Sequence, residues 1–223
     1  NEMADGKWKN MMIQKHIGYR SWNDNFPEDT LPRIFRIDET ETLPSGFTFT
    51  AGNGCVIIEA PHIYSKQNST EGSWMLIEDM GRTLGGVALM PYDVPVEGAK
   101  LTYRMEIPSD VKTVTVHVAT KSTLAFHDKD GHSYRVGFKG AESVDRCFNA
   151  RLNEDPENVY SVYYPTVAKR VAVEKIELSL PEGVSVYDLE IQPLDPGIVF
   201  EKIIVDFGGY QESYLMGNES VHT

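Results

Sequence analysis

The chain has 223 residues, 41% of them hydrophobic and 24% charged, which is the composition of a globular protein with a real core and not of a disordered or fibrous one. Thirty-three Asp and Glu face 21 Lys and Arg, and the net charge of -12 opposes binding to a phosphate backbone, so nucleic acid is not an expected partner. No apolar run approaches the roughly 18 residues of a membrane-spanning helix, and no Cys-x-x-Cys or Cys/His cluster offers zinc ligands.

The chain opens at Asn1 without Met or a charged-then-apolar leader, which predicts a processed protein or an excised piece of a longer one. Residues 5–17 have helical spacing: Met12, His16 and Tyr19 stand at i, i+4 and i+7, and Gly18 would end the helix. Pro27, Pro32 and Pro44 then interrupt any regular element, so residues 1–45 read as a helix and connector whose apolar side needs a partner surface. From Phe47 onward short strand patterns recur at residues 55–58, 101–107, 134–138, 171–180, 184–191 and 198–205. Between them, Val114, Val116 and Val118 predict a strand with one buried face, opposite Thr113, Thr115 and His117. Ile176, Leu178 and Leu180 alternate with Glu177 and Ser179 in the same way. Seven or more strands with no helical pattern between them predict a mainly β domain over residues 46–223, an antiparallel jelly-roll-like β-sandwich, ending in an irregular tail from Tyr210. Cys55 and Cys147 are expected as two separate small hydrophobes, with a single disulfide as the alternative in an oxidising compartment.

Residues that could carry chemistry are sparse. No nucleophile elbow, His-Glu-x-x-His, Walker loop or dinucleotide fingerprint occurs. Glu59, Glu78, Asp79 and Asp206 lie near apolar runs and are expected as solvated or structural acids. His127 and His132 flank Asp128-Lys129-Asp130-Gly131, a turn signal first and a two-histidine metal site second. A sugar-binding surface would need loop aromatics, and Trp74, Tyr92, Tyr160, Tyr163 and Tyr164 are the candidates. Trp74 either caps the sandwich core or faces a ligand. Tyr163-Tyr164-Pro165 is either a packed corner or part of a binding face.

Three blocks resemble the bacterial glycoside hydrolase family 115, whose members remove glucuronic acid or its 4-O-methyl form from xylan side chains. They are G-K-W-K-N-M-M-I-Q-K-H-I-G-Y-R-S-W over residues 6–22, V-I-I-E-A-P-H-I-Y over 56–64 with Trp74, G-R-T over 81–83 and S-T-L-A-F over 122–126, and D-P-G-I-V-F-E-K-I-I-V-D-F-G-G-Y-Q-E-S-Y-L-M-G-N-E-S over 195–220. The resemblance implies an accessory C-terminal domain, with the family's catalytic residues upstream on a (β/α)-barrel and none of them in this chain. It implies packing on the rest of the parent enzyme, a homodimer in the full-length protein, and a periplasmic or secreted location.

The sandwich also resembles jelly-roll carbohydrate-binding modules, in which an E-x-E pair and a final-strand Asp hold a structural calcium. Glu59 and Asp206 stand at two of those positions, while Pro61 replaces the second acid and removes a carboxylate that the cation would need. A site for xylan-derived oligosaccharides would draw on Trp74, Arg82 and Tyr163. The overall acidity weighs against a glucuronate-binding surface unless basic residues such as Arg82 or Arg135 cluster there.

Overall fold

Side-chain alternation and turn residues decide where the strands lie. The computed structural model describes residues 43–126 and 131–223, and the helix expected over residues 5–17 and the connector up to residue 42 lie outside them. Two sheets are built from β1 (Thr48–Thr50), β2 (Cys55–Glu59), β3 (Ser65–Gln67), β4 (Ser73–Ile77), β5 (Gly86–Met90), β6 (Lys100–Glu106), β7 (Thr113–Lys121), β8 (Ser133–Phe138), β9 (Ser143–Cys147), β10 (Val171–Ser179), β11 (Val186–Pro193) and β12 (Val199–Asp206). The first sheet runs β1-β6-β11-β8-β9 with β3 also on β6, and the second β10-β7-β12-β5-β4 with β2 also on β12. The pairs are antiparallel except β1 with β6, which is parallel. The mainly β two-sheet sandwich expected from the sequence is therefore present, with one parallel edge pair added.

The core lies between the sheets. Val114, Val116 and Val118 of β7 stand beside Ile176 and Leu178 of β10 and Ile203 and Val205 of β12 on the inner face of the second sheet, in one buried cluster with Leu101, Tyr103 and Met105 of β6 from the first. Phe200 is fully buried, with its ring 6.2 Å from that of Trp74 and edge-on to Tyr134 at 5.6 Å. Leu43 belongs to this cluster and Ser45 bridges Ile63, so sandwich contacts begin just ahead of β1.

Two departures from the expected pattern matter for function. His117, placed by alternation on a wet face, is 5% exposed. The reason is non-local: the outer face of the second sheet carries its own apolar cluster, Cys55, Ile57, Ala119, Val171 and Ile204, covered by Met216 and Tyr210 of the C-terminal segment. That segment turns sharply at Gly209, where a Cβ would collide with the Asn53 carbonyl oxygen. Strands β2 and β12, covered on both sides, accordingly read as near-continuous apolar runs.

The second departure is helical. Residues Val159–Tyr163 form a π-helical turn continued by the short helix α1 (Tyr164–Lys169), with Pro165 in its first turn and Arg170 left-handed at its end. None of its side chains is buried.

Truncating Phe200 to Ala removes a ring that both sheets share, and should cost about 3–5 kcal/mol of stability, read as a lower denaturant midpoint with an unchanged slope.

Candidate functional site

The aromatic and acidic candidates fall into different environments. Trp74 on β4 is 2% exposed, its indole N–H donating to the Gln67 carbonyl at 2.8 Å. It caps the core against Phe200 and leaves no face for a sugar ring, because the Phe200 contact and the indole hydrogen bond both draw it inward. Of the two readings of Trp74, this burial favours the core cap over the ligand face.

Glu59 and Asp206 are not brought together. In the β2–β12 ladder Glu59 pairs with Lys202 and Asp206 with Cys55, which separates the two acids by four residues, about 13 Å along the strands. Each already has partners. Glu59 lies 2.9 Å from the Lys202 ammonium and accepts from the Thr83 hydroxyl at 2.5 Å. One Asp206 oxygen accepts the backbone N–H groups of Gly208, Gly209 and Tyr210 at 2.9, 3.0 and 3.0 Å. The two residues do not fit a shared calcium, whose oxygen ligands must all lie within about 2.6 Å of one ion.

Lys202 is the residue that sequence reasoning passed over. It is 1% exposed, and besides Glu59 its ammonium donates to the Leu215 and Gly217 carbonyls and to the Thr83 hydroxyl. A lysine inside the apolar run Val199–Asp206 was the available signal. Beside it Glu201 is 2% exposed, and burial pushes its carboxyl pKa up against the pull of Lys121, 3.6 Å away.

Arg82 reaches over this layer. Its guanidinium donates to the Tyr214 carbonyl at 2.5 Å and to the Lys169 carbonyl, and stacks 4.3 Å from the Tyr214 ring centre. Arg82, His117, Lys169, Lys175, Tyr210 and Tyr214 line one cleft of about 470 Å³, with Glu212 as its acid. Burial and the Lys175 charge lower the His117 pKa. Arg135 is elsewhere, paired with Asp145 at 2.6 Å on the outside of β8 and β9. Tyr163 is half-buried and lines a separate depression of about 650 Å³ with Leu124, Asn149, Asn153 and Glu154.

Tyr92, 57% exposed, packs edge-on to Phe126, and Tyr160 and Tyr164 stand exposed on the helical excursion. His127 lies outside the described residues. His132 is buried beside Asn149 and Phe126. Cys55 on β2 and Cys147 on β9 are free thiols in different sheets.

The Asp206 turn has a definite pH signature. Desolvation raises its pKa, but the N–H groups of Tyr210, Gly208 and Gly209 outweigh it and hold the group below the ordinary value of 3.8. Its stabilisation is present above pH 3.8 and is lost as pH falls through the depressed folded value. Replacing Asp206 by Ala should cost about 1–2 kcal/mol at neutral pH, with the gap to the native chain narrowing in acid, as urea melts across pH 2–7 would record.

Comparison with known proteins places this architecture. The model of the glycosyl hydrolase family 115 C-terminal domain matches residues 48–219, so the block at residues 6–22 lies outside the match. No curated protein matches the sequence. Among solved structures, a family GH115 4-O-methyl-alpha-glucuronidase with specificity for decorated arabinogalactans, BtGH115A, aligns at a TM-score of 0.50 and 16% identity over 92% of this chain. The chain spans only 22% of that enzyme. The C-terminal family 6 carbohydrate-binding module of LamC, a marine laminarinase from Zobellia galactanivorans, aligns at 0.44 and 10% over 68% of this chain and 98% of its own. A Podospora anserina GH26-CBM35 beta-(1,4)-mannanase aligns at 0.44 and 12% over 72% of this chain and 29% of its own. The chain belongs to the glycosyl hydrolase family 115 C-terminal domain family, the accessory and non-catalytic domain of that enzyme architecture, separate from its catalytic core.

Proposed function

We propose that this domain serves packing and assembly in a xylan α-glucuronidase, docking against the rest of the parent enzyme and the partner subunit of a homodimer. The helical excursion carries this reading. It projects Tyr160, Tyr164 and Val167, at 78%, 49% and 46% exposure, from a segment that buries none of its own side chains. Rings of this size gain most when a partner surface removes them from water. Residues 1–45 serve in the same reading as the helix and connector to the preceding part, with residues 46–223 as the accessory domain. No helix among the described residues is long and apolar enough to cross a membrane. A periplasmic or secreted parent acting on glucuronoxylan completes the proposal. In the full-length enzyme, the double change Tyr160→Ser and Tyr164→Ser should weaken subunit association by about tenfold or more, or lower the melting temperature of the whole enzyme. Unchanged values of both, by ultracentrifugation and calorimetry, would sink this reading.

A second reading, binding of acidic xylan fragments, is favoured by the Arg82 cleft. Despite the net charge of -12, Arg82, Lys169 and Lys175 gather there beside two tyrosines, with Glu212 pairing Lys175 at 3.4 Å, so cations outnumber acids at the cleft as recognition of a carboxylated sugar requires. The Tyr163 depression offers Glu154 in place of a cation and suits a neutral sugar better. Titration calorimetry should give heat with a glucuronate-bearing xylo-oligosaccharide and little with its neutral counterpart. Lys169→Glu should weaken the acidic ligand by about tenfold. No heat, or equal heat from both sugars, would count against the cleft.

A further inference from the structure

Three potential metal ligands from distant stretches of chain converge at the corner that follows β2. His62 comes from the β2–β3 connection, and Glu219 and His222 from the C-terminal segment. His62 Nδ1 lies 2.9 Å from both Glu219 oxygens, His222 Nε2 lies 3.8 Å from one of them, and all three donor atoms fall within 4.8 Å of one another. A tetrahedral ion with bonds of about 2.0–2.1 Å needs donors roughly 3.3 Å apart, so the set is close to ligating geometry before any ion arrives.

The surroundings fix this arrangement. The Glu59 backbone N–H donates to Glu219 Oε1 at 2.8 Å and holds the carboxylate at the corner. The Phe47 ring packs against both imidazoles, at 4.7 Å from His62 and 4.9 Å from His222, and Phe49 closes the far side at 5.2 Å from His222. Backbone bonds position the segment that carries two of the three donors: Thr48 and Thr223 exchange N–H to carbonyl bonds at 3.0 Å, and Ser220 N–H donates to Ile57. The His222 side chain is 34% exposed, which leaves an entry path and an open fourth position for water.

We propose that His62, Glu219 and His222 form a binding site for a divalent first-row transition ion of the zinc type, which fastens the C-terminal segment to the corner after β2. Two imidazoles and one carboxylate suit a borderline ion of this class and not calcium, which takes oxygen ligands alone. The site is separate from Asp206 and from the Arg82 cleft. Its consequence is structural: the bound ion closes a covalent-like loop between residues far apart in sequence and stabilises the covering of the outer sheet face.

The test is titration of the whole chain, stripped with chelator, with zinc chloride by calorimetry, alongside cobalt(II) absorption as a report of coordination geometry. One ion per chain is expected, with a rise in melting temperature. His222→Ala and His62→Gln should each lower the affinity by at least about tenfold and abolish that rise. His222 is a partly exposed residue of the terminal segment, so its replacement decides the question even if His62→Gln compromises folding. Absence of zinc binding would overturn the site, and so would binding that His222→Ala leaves intact, since the ion would then sit on other residues.

Discussion

The buried ammonium of Lys202 ties together β2, β12, the loop after β4 and the terminal segment at one point. An ammonium at 1% exposure is costly to desolvate and persists only with its donors fully used. Its contacts supply that: Glu59 from the neighbouring strand, Thr83 from the loop after β4, and the Leu215 and Gly217 carbonyls from the terminal segment. The terminal segment is therefore held on the second sheet by a directional, charged anchor as well as by the apolar contacts of Tyr210 and Met216. Removing the charge from either Glu59 or Lys202 would strand its partner in a dry layer.

Once the segment is held there, other features follow. The outer face of β7 and β12 becomes a second interior, which is why His117 meets the Tyr210 ring, edge-on at 5.0 Å, instead of water. Arg82 can bridge Tyr214 and Lys169 only because the segment and the end of α1 approach the same loop. The basic cleft and the corner of His62, Glu219 and His222 are both products of this covering layer. A two-sheet sandwich without it would have neither.

The sandwich itself was legible because inward alternation is a local pattern: Val114 to Val118 and Ile176 to Leu180 show their buried faces to any reader of period two. The helix α1 was legible in principle, since Pro165 opens it, but six residues are too few for a helical period to emerge. The residues of the sites were less readable, for a definite reason. Whether Glu59 and Asp206 share an ion depends on the register of β2 against β12, which no local pattern fixes. Trp74 reads equally as a loop aromatic or a core cap until Phe200 is placed behind it. His62 and Glu219 are 157 positions apart, and only the path of the terminal segment makes them neighbours.

The pairing of the chain's last residues with β1 carries one more implication. An outer strand of a sheet offers unsatisfied N–H and carbonyl groups to any extended chain that drifts near. Here the N–H groups of Thr48 and Thr50 are already used on Thr223 and Val221, so the β1 part of that rim of the first sheet is sealed from within. The opposite rim, β9, carries Asp145 at an exposed position next to the half-buried Arg146, and these charges discourage strand addition. Between these rims, a companion surface meeting the first sheet must recognise side chains and shape, because the backbone there has nothing left to offer.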